Sequence, residues 1–269
     1  MYKIKYYDKN NEQKYSDLIL TEDDVNEIDK IKNYFYQIML SIDYYNIVNG
    51  NLKELMDTIK TMPLNDIKYF AKINRYFVNM SNSFYMYKNF YKYKFKGEYY
   101  NHFNEAKDKY DDYVLMTDLR NYSVHNNLAI TIVKYNVLTN ENNILISPKE
   151  ILGDKENISS KGKRILKKLI DEEKDIDVKY LTGSFLSIFN EIKTNIICEQ
   201  KNKIFEYLDI FEKYLIGKGM NKCESYIVDE KDNIIFCTSN IFYSFFEKFE
   251  KEFNFDFNVE EYLKSYYNL

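Results

Sequence analysis

Tryptophan is absent from the 269 residues, arginine occurs three times (Arg75, Arg120 and Arg164), histidine twice (His102 and His125), cysteine three times, proline twice and glycine seven times. Each scarcity excludes something. So few prolines and glycines leave too little punctuation for an all-β chain, which needs a turn every several residues, and long helices are favoured. Cys198, Cys223 and Cys237 are odd in number and lack C-x-x-C spacing, which argues against a disulfide framework or a structural zinc site and for a reducing, cytoplasmic setting. With two histidines 23 residues apart and no H-E-x-x-H, a His-based metal centre has almost no material, so neither a metal nor another cofactor is expected. No run of about 18 uncharged apolar residues is present, and the opening MYKIKYYDKNNEQKY carries no signal-peptide apolar region. A protein with no membrane partner is the expectation.

What the chain does hold is core material: 45% of its residues are hydrophobic and 17% are aromatic, in a length that suits one large or two small domains. The 28 tyrosines accompany an excess of Lys, Asn and Ile and are read as a compositional bias rather than a binding device. A formal charge of −4 argues against an extended, uniformly basic nucleic-acid surface and leaves room for a local one.

Residues 1–20 read as a polar, irregular N-terminal segment with a short alternating start. Thr21, followed by Glu22, Asp23 and Asp24, is a helix start, since the Thr oxygen can accept an orphan amide and the acids face the positive end of the dipole. Ile28, Ile31, Phe35, Ile38, Ile42 and Tyr45 then recur at helical spacing until Asn49-Gly50, the expected C-cap, and a short helix near 51–61 stops before Pro63. Ile67, Phe70, Ile73, Phe77, Met80 and Phe84 predict a second long helix to about residue 94, broken at Gly97; Tyr99 to His125 predicts a third, continuous one. After Asn127 the period changes from 3.6 to 2 through LAITIVKYNV, TNENN and ILIS, which predicts strand, turn and strand near 128–147. A helix near 160–173, a fourth long helix near 177–216, a hairpin near 225–238 turning at Glu230 to Asn233, and two terminal helices complete the reading. The fold class is therefore mainly α: a four-helix-bundle core over 21–217 with a small β-hairpin insertion, and a C-terminal extension over 218–269 made of a hairpin plus helices.

The scarce residues coincide at Leu119-Arg120-Asn121-Tyr122-Ser123-Val124-His125. On a helix, Asn121 and His125 stand one turn apart on one face, Asp118 shares that stripe, and Arg120 sits to its side. A neutral imidazole can take the proton of an RNA 2′-hydroxyl, an imidazolium can return one to the leaving 5′-oxygen, and a fork-shaped guanidinium can hold the phosphate. Such chemistry leaves 2′,3′-cyclic phosphate ends. Acid and base roles are best served by two histidines, and on a continuous helix His102 would lie about 35 Å from His125. The second imidazole is then expected from another subunit, in a two-fold homodimer. The plainer reading is a helix C-terminus where Arg and His complement the dipole.

Arg120-Asn121 with His125 resembles the HEPN superfamily (higher eukaryotes and prokaryotes nucleotide-binding domain), whose hallmark is an Arg followed by a polar residue and, four to six residues on, a His. The Asn74-Arg75 to Asn79 segment, the strand pair after His125 and Ser147-Pro148-Lys149-Glu150-Ile151-Leu152 are similar to a bacterial branch of that superfamily, over roughly residues 22–216. The resemblance implies a four-helix bundle that dimerises into a metal-independent ribonuclease, as in toxins and antiphage defence, with RNA as substrate and a regulatory or antitoxin protein as a further partner. It also implies that Arg120, His125 and Asn121 are catalytic. A branch with a modifiable Tyr two residues after the His has Asn127 here, so that regulation is not carried over. Members that only bind RNA or protein are the alternative.

Arg75 and Asn79, at i and i+4, are candidates to support Asp118 or Asn121, with a structural hydrogen-bond network as the competing reading. Lys161, Lys163, Arg164, Lys167 and Lys168 form the denser of two basic segments that could contact RNA. In the other, Lys88, Lys92, Lys94 and Lys96 alternate with Tyr87, Phe90, Tyr91, Tyr93 and Phe95. Charge runs are usually solvated faces, and aromatic residues usually core.

Overall fold

The computed structural model describes residues 1–8, 10, 12–62, 67–125, 128–136, 141–153, 156–215 and 220–237. Its elements are β1 (Tyr2–Asp8), β2 (Gln13–Leu20), α1 (Glu22–Lys60), α2 (Ile67–Lys94), α3 (Asn101–Lys109), α4 (Asp111–His125), β3 (Ile132–Asn136), β4 (Glu141–Ile146), α5 (Pro148–Gly153), α6 (Ser160–Asp171), β5 (Ile176–Asp177), α7 (Val178–Leu215), β6 (Met220–Val228) and β7 (Ile234–Cys237). The protein is mainly helical with small antiparallel sheets, and no described helix is long and apolar enough to cross a membrane.

Two compact units divide the chain: Met1–Ile42 with Cys198–Leu269, and Asp43–Ile197. In the first, a four-stranded sheet runs in the order β2-β1-β6-β7. Residues 1–20 are thus not an irregular segment. Lys3 to Tyr6 pair antiparallel with Val228 to Ser225, so strands more than 200 residues apart in sequence share a sheet. Ile4, Leu20, Val25, Ile28 and Ile227 form the small core beside it. The turn expected at Glu230 to Asn233 is present, with the Asp229 carboxylate accepting from the amides of Lys231 and Asn233 at 2.8 and 2.9 Å. The two expected terminal helices lie outside the described residues. The Cys198 thiol is free.

The second unit holds the motif. Its core is a lattice of rings: Phe84 of α2 meets Phe103 of α3, Tyr113 of α4, and Phe185 and Phe189 of α7, with centroids 4.8–6.2 Å apart. Tyr45 of α1 stacks on Phe189 at 5.2 Å. All of these rings except Tyr45 are buried, and truncating one such Phe to Ala costs about 3–5 kcal/mol. A three-stranded sheet, β3-β4-β5, completes the unit and contains the expected insertion; Glu141 to Asn143, expected in its turn, are already strand.

Two helix boundaries differ from expectation. α1 runs unbroken through Gly50, because Val48, Leu52 and Leu55 are buried on either side and their packing outweighs the roughly 1 kcal/mol that glycine costs a helix. Conversely, Tyr99 to His125 is two helices: Tyr110 takes an extended conformation (φ −117°, ψ 119°) between α3 and α4. Thr21 caps α1 as expected, its Oγ accepting from the Asp24 amide while Asp24 accepts from the Thr21 amide. α2 is followed by Lys96 and Gly97 at φ 52° and 82°, the left-handed turn that Gly97 foreshadows.

Candidate active site

Arg120 lies five residues before the end of α4, on the side packed against α2. Its Nε donates to Asn82 Oδ1 at 2.9 Å, its Nη1 to Asn121 Oδ1 at 3.1 Å, and its guanidinium lies 4.1 Å from the centroid of the Tyr85 ring. All three partners are neutral. No carboxylate pairs with Arg120 among the described residues, so the guanidinium is oriented without being neutralised, and its other N–H groups remain for an anion.

Asn121 and His125 stand one turn apart on one face of α4, as the spacing predicts. Arg120 and His125 point about 140° apart around the same helix. Asn121 therefore bridges the two: it accepts from Arg120 and lies on the stripe of His125. The His125 imidazole is exposed and makes no hydrogen bond to a described residue, and its neighbours Val124 and Leu128 expose apolar side chains.

Asp118 is buried and turned away to α6, accepting from the Ser159 hydroxyl at 2.7 Å and the Ser159 amide at 3.2 Å. Ser159 in turn caps α6 by accepting from the Gly162 amide at 3.0 Å. Burial pushes the Asp118 carboxyl up from the ordinary carboxylate range, against the Ser159 hydrogen bonds and, more weakly, Lys107 and Lys163, which hold it down. Asp118 thus anchors the motif helix to α6.

Arg75 and Asn79 do not support Asp118 or Asn121. Both are exposed, Arg75 lying 5.0 Å from the Tyr76 ring. The polar stripe of α2 that meets the site is one residue out of phase with them. It holds Asn82, whose role the sequence reading missed, and Asn74, which is buried and clamps the backbone after the motif: Ile130 N–H donates to its Oδ1 at 3.1 Å and its Nδ2 donates to the Ile130 carbonyl at 2.9 Å. A polar residue inside an apolar helical stripe was the available signal.

His102 lies on α3 with its side chain mostly buried, its Nδ1 3.6 Å from Glu105. Of the basic segment on α6, Lys161 is engaged in structure: its ammonium donates to the carbonyls of Lys107 and Asp108 at the end of α3 and lies 3.4 Å from Asp111. Lys168 reaches Glu172 at 4.0 Å, Lys163 is half-buried, and Arg164 and Lys167 are exposed. Among the described residues no group of three or more His, Cys, Asp or Glu is placed to hold a metal ion.

No protein-family model matches this sequence, and neither the curated proteins nor the solved structures contain a match to it. The functional reading therefore stands on the residues themselves.

Proposed function

We propose that this chain is a cytoplasmic, metal-independent endoribonuclease of the HEPN kind that acts as a homodimer, in toxin or antiphage defence and under a regulatory or antitoxin protein. The observation that carries the reading is the state of Arg120: fixed by Asn82, Asn121 and Tyr85 and paired with no acid among the described residues, it is a phosphate site held ready.

In the proposed reaction the 2′-oxygen attacks the adjacent phosphorus and the bond to the 5′-oxygen breaks. One neutral His125 takes the 2′-hydroxyl proton, and a protonated His125 of the partner subunit gives one to the leaving oxygen. Arg120 holds the non-bridging oxygens as charge builds on them. Asn121 orients Arg120, and the angular separation of Arg120 from His125 on one helix suits a site that two chains complete. The exposed apolar Val124 and Leu128 beside His125 suit the same arrangement.

The alternative, a HEPN-like module that binds RNA or protein without cutting it, is favoured by one observation: no described residue holds the His125 ring in a chosen tautomer. Purified protein incubated with RNA in EDTA separates the two. Cyclic-phosphate ends that vanish in His125→Ala support the nuclease; RNA left intact across pH, salt and added divalent metals supports the binding module.

A further inference from the structure

Beside the Arg120 site, α2 carries a second group of cations with no acid among them. The Lys88 ammonium lies 5.5 Å from the ring centroid of Tyr100 and 5.9 Å from that of Tyr113; the Lys92 ammonium lies 5.9 Å from Tyr100 and 5.3 Å from Tyr93. Neither lysine has a carboxylate within ion-pairing distance among the described residues. The acids at the start of α4 are engaged elsewhere, Asp111 with Lys161 and Asp112 with the Ser184 hydroxyl.

Tyr85, Lys88 and Lys92 follow one another along one stripe of α2, at i, i+3 and i+7, over about 10 Å. The stripe begins at the ring under Arg120 and passes Tyr100 to end beside Tyr93, which is 67% exposed. Tyr85 and Tyr93 both lie close enough to Tyr100 to bear on its hydroxyl. Lys88 is partly buried, and burial together with Lys107 and Lys92 pulls its pKa down. A desolvated ammonium facing like charges is relieved by an arriving anion.

We propose that Lys88, Lys92, Tyr93 and Tyr100 form a track that holds single-stranded RNA flanking the phosphate at Arg120, the lysines meeting backbone phosphates and the rings of exposed Tyr93 and half-buried Tyr100 meeting bases. This rests on the ribonuclease reading for its substrate but uses none of the cleaving residues. Flat rings alternating with unpaired cations are what a single strand of nucleotides requires, since each base brings a face to stack and each linkage a charge. An acidic peptide would use the cations alone.

The test is fluorescence anisotropy with a labelled, fully 2′-O-methylated RNA oligonucleotide, which binds without being cleaved. Lys88→Gln with Lys92→Gln should weaken binding at least tenfold and flatten the dependence of log K on log salt by about two phosphate contacts. Lys149→Gln with Lys179→Gln, a charge-matched control on exposed positions, should leave both unchanged. Tyr93→Ala, at an exposed site where folding is not at stake, should cost at least about fivefold. Cleavage of unmodified RNA by the wild type is measured alongside, so a failure of cleavage and a failure of the track are read separately. Equal loss in the control pair, no loss in Tyr93→Ala and Lys92→Gln, or displacement of the oligonucleotide by polyglutamate at equal charge overturns the proposal.

Discussion

Gly162 lies where Asp118 leaves no room for a side chain: a Cβ at residue 162 would stand 1.8 Å from the Asp118 carboxylate oxygen Oδ2. The requirement for glycine is steric rather than conformational. It lets the first turn of α6 close onto a carboxylate that belongs to α4, two residues before Arg120.

Gly162→Ala should therefore destabilise the protein by about 1–3 kcal/mol, the usual cost of forcing an added methyl into a packed site. Placed in an Asp118→Ala background, the same change should cost much less. Urea denaturation of the two single variants and the double variant measures this coupling; strict additivity would show that the two residues do not share the space.

Stability should depend on pH through Asp118. Its folded pKa is raised by burial, so the stabilisation that accompanies the neutral acid is complete below the unfolded value of about 3.9 and is lost as the pH rises through the folded value. Asp118→Asn, which keeps an oxygen for Ser159 and cannot ionise, should gain on the wild type between pH 4 and pH 7. Denaturant midpoints at the two pH values test it, and a constant gap would mean that the carboxylate pays nothing for its burial.

Neutralising Arg120 should silence it. In Asn82→Asp the partner of Nε becomes a carboxylate, so thermal stability should hold or rise while RNA cleavage falls at least tenfold, because the phosphate then competes with a resident anion. Melting temperature and initial cleavage rate, measured on one preparation, distinguish this from general damage, in which both would fall.

Asn74→Ala should leave the Ile130 N–H buried without its acceptor and cost about 1–3 kcal/mol. Amide exchange at Ile130 should quicken well before that of the α2 amides. Unchanged protection would mean that water or another group takes over the bond.

The sequence carries its helices plainly where an apolar period coincides with a side-chain cap or a glycine, as at Thr21 and Gly97, and it carries Arg120, Asn121 and His125 as a cluster of rare residues. Other features are set by partners far away in sequence. β1 sets Tyr2, Ile4 and Tyr6 on one face against Lys3 and Lys5 on the other, but the neighbour that makes it a sheet strand, β6, lies more than 200 residues on. The break at Tyr110 has no glycine or proline to mark it, and the passage of α1 through Gly50 depends on what Leu52 and Leu55 meet. Asn82 and Asn74 were hidden for a simpler reason. A one-residue error in the phase of α2 rotates the face by about 100°, enough to choose Arg75 and Asn79 in their place.

Asn74 and Asn82 stand eight residues apart on α2, about 12 Å, and grip the chain on either side of His125: one at Arg120, the other at Ile130. A histidine with no hydrogen bond to a described residue is thus located from both flanks against a single straight edge. Sliding or rotation of α4 along α2 would have to release one grip or the other, so the position of the imidazole is written in two asparagines that never touch it.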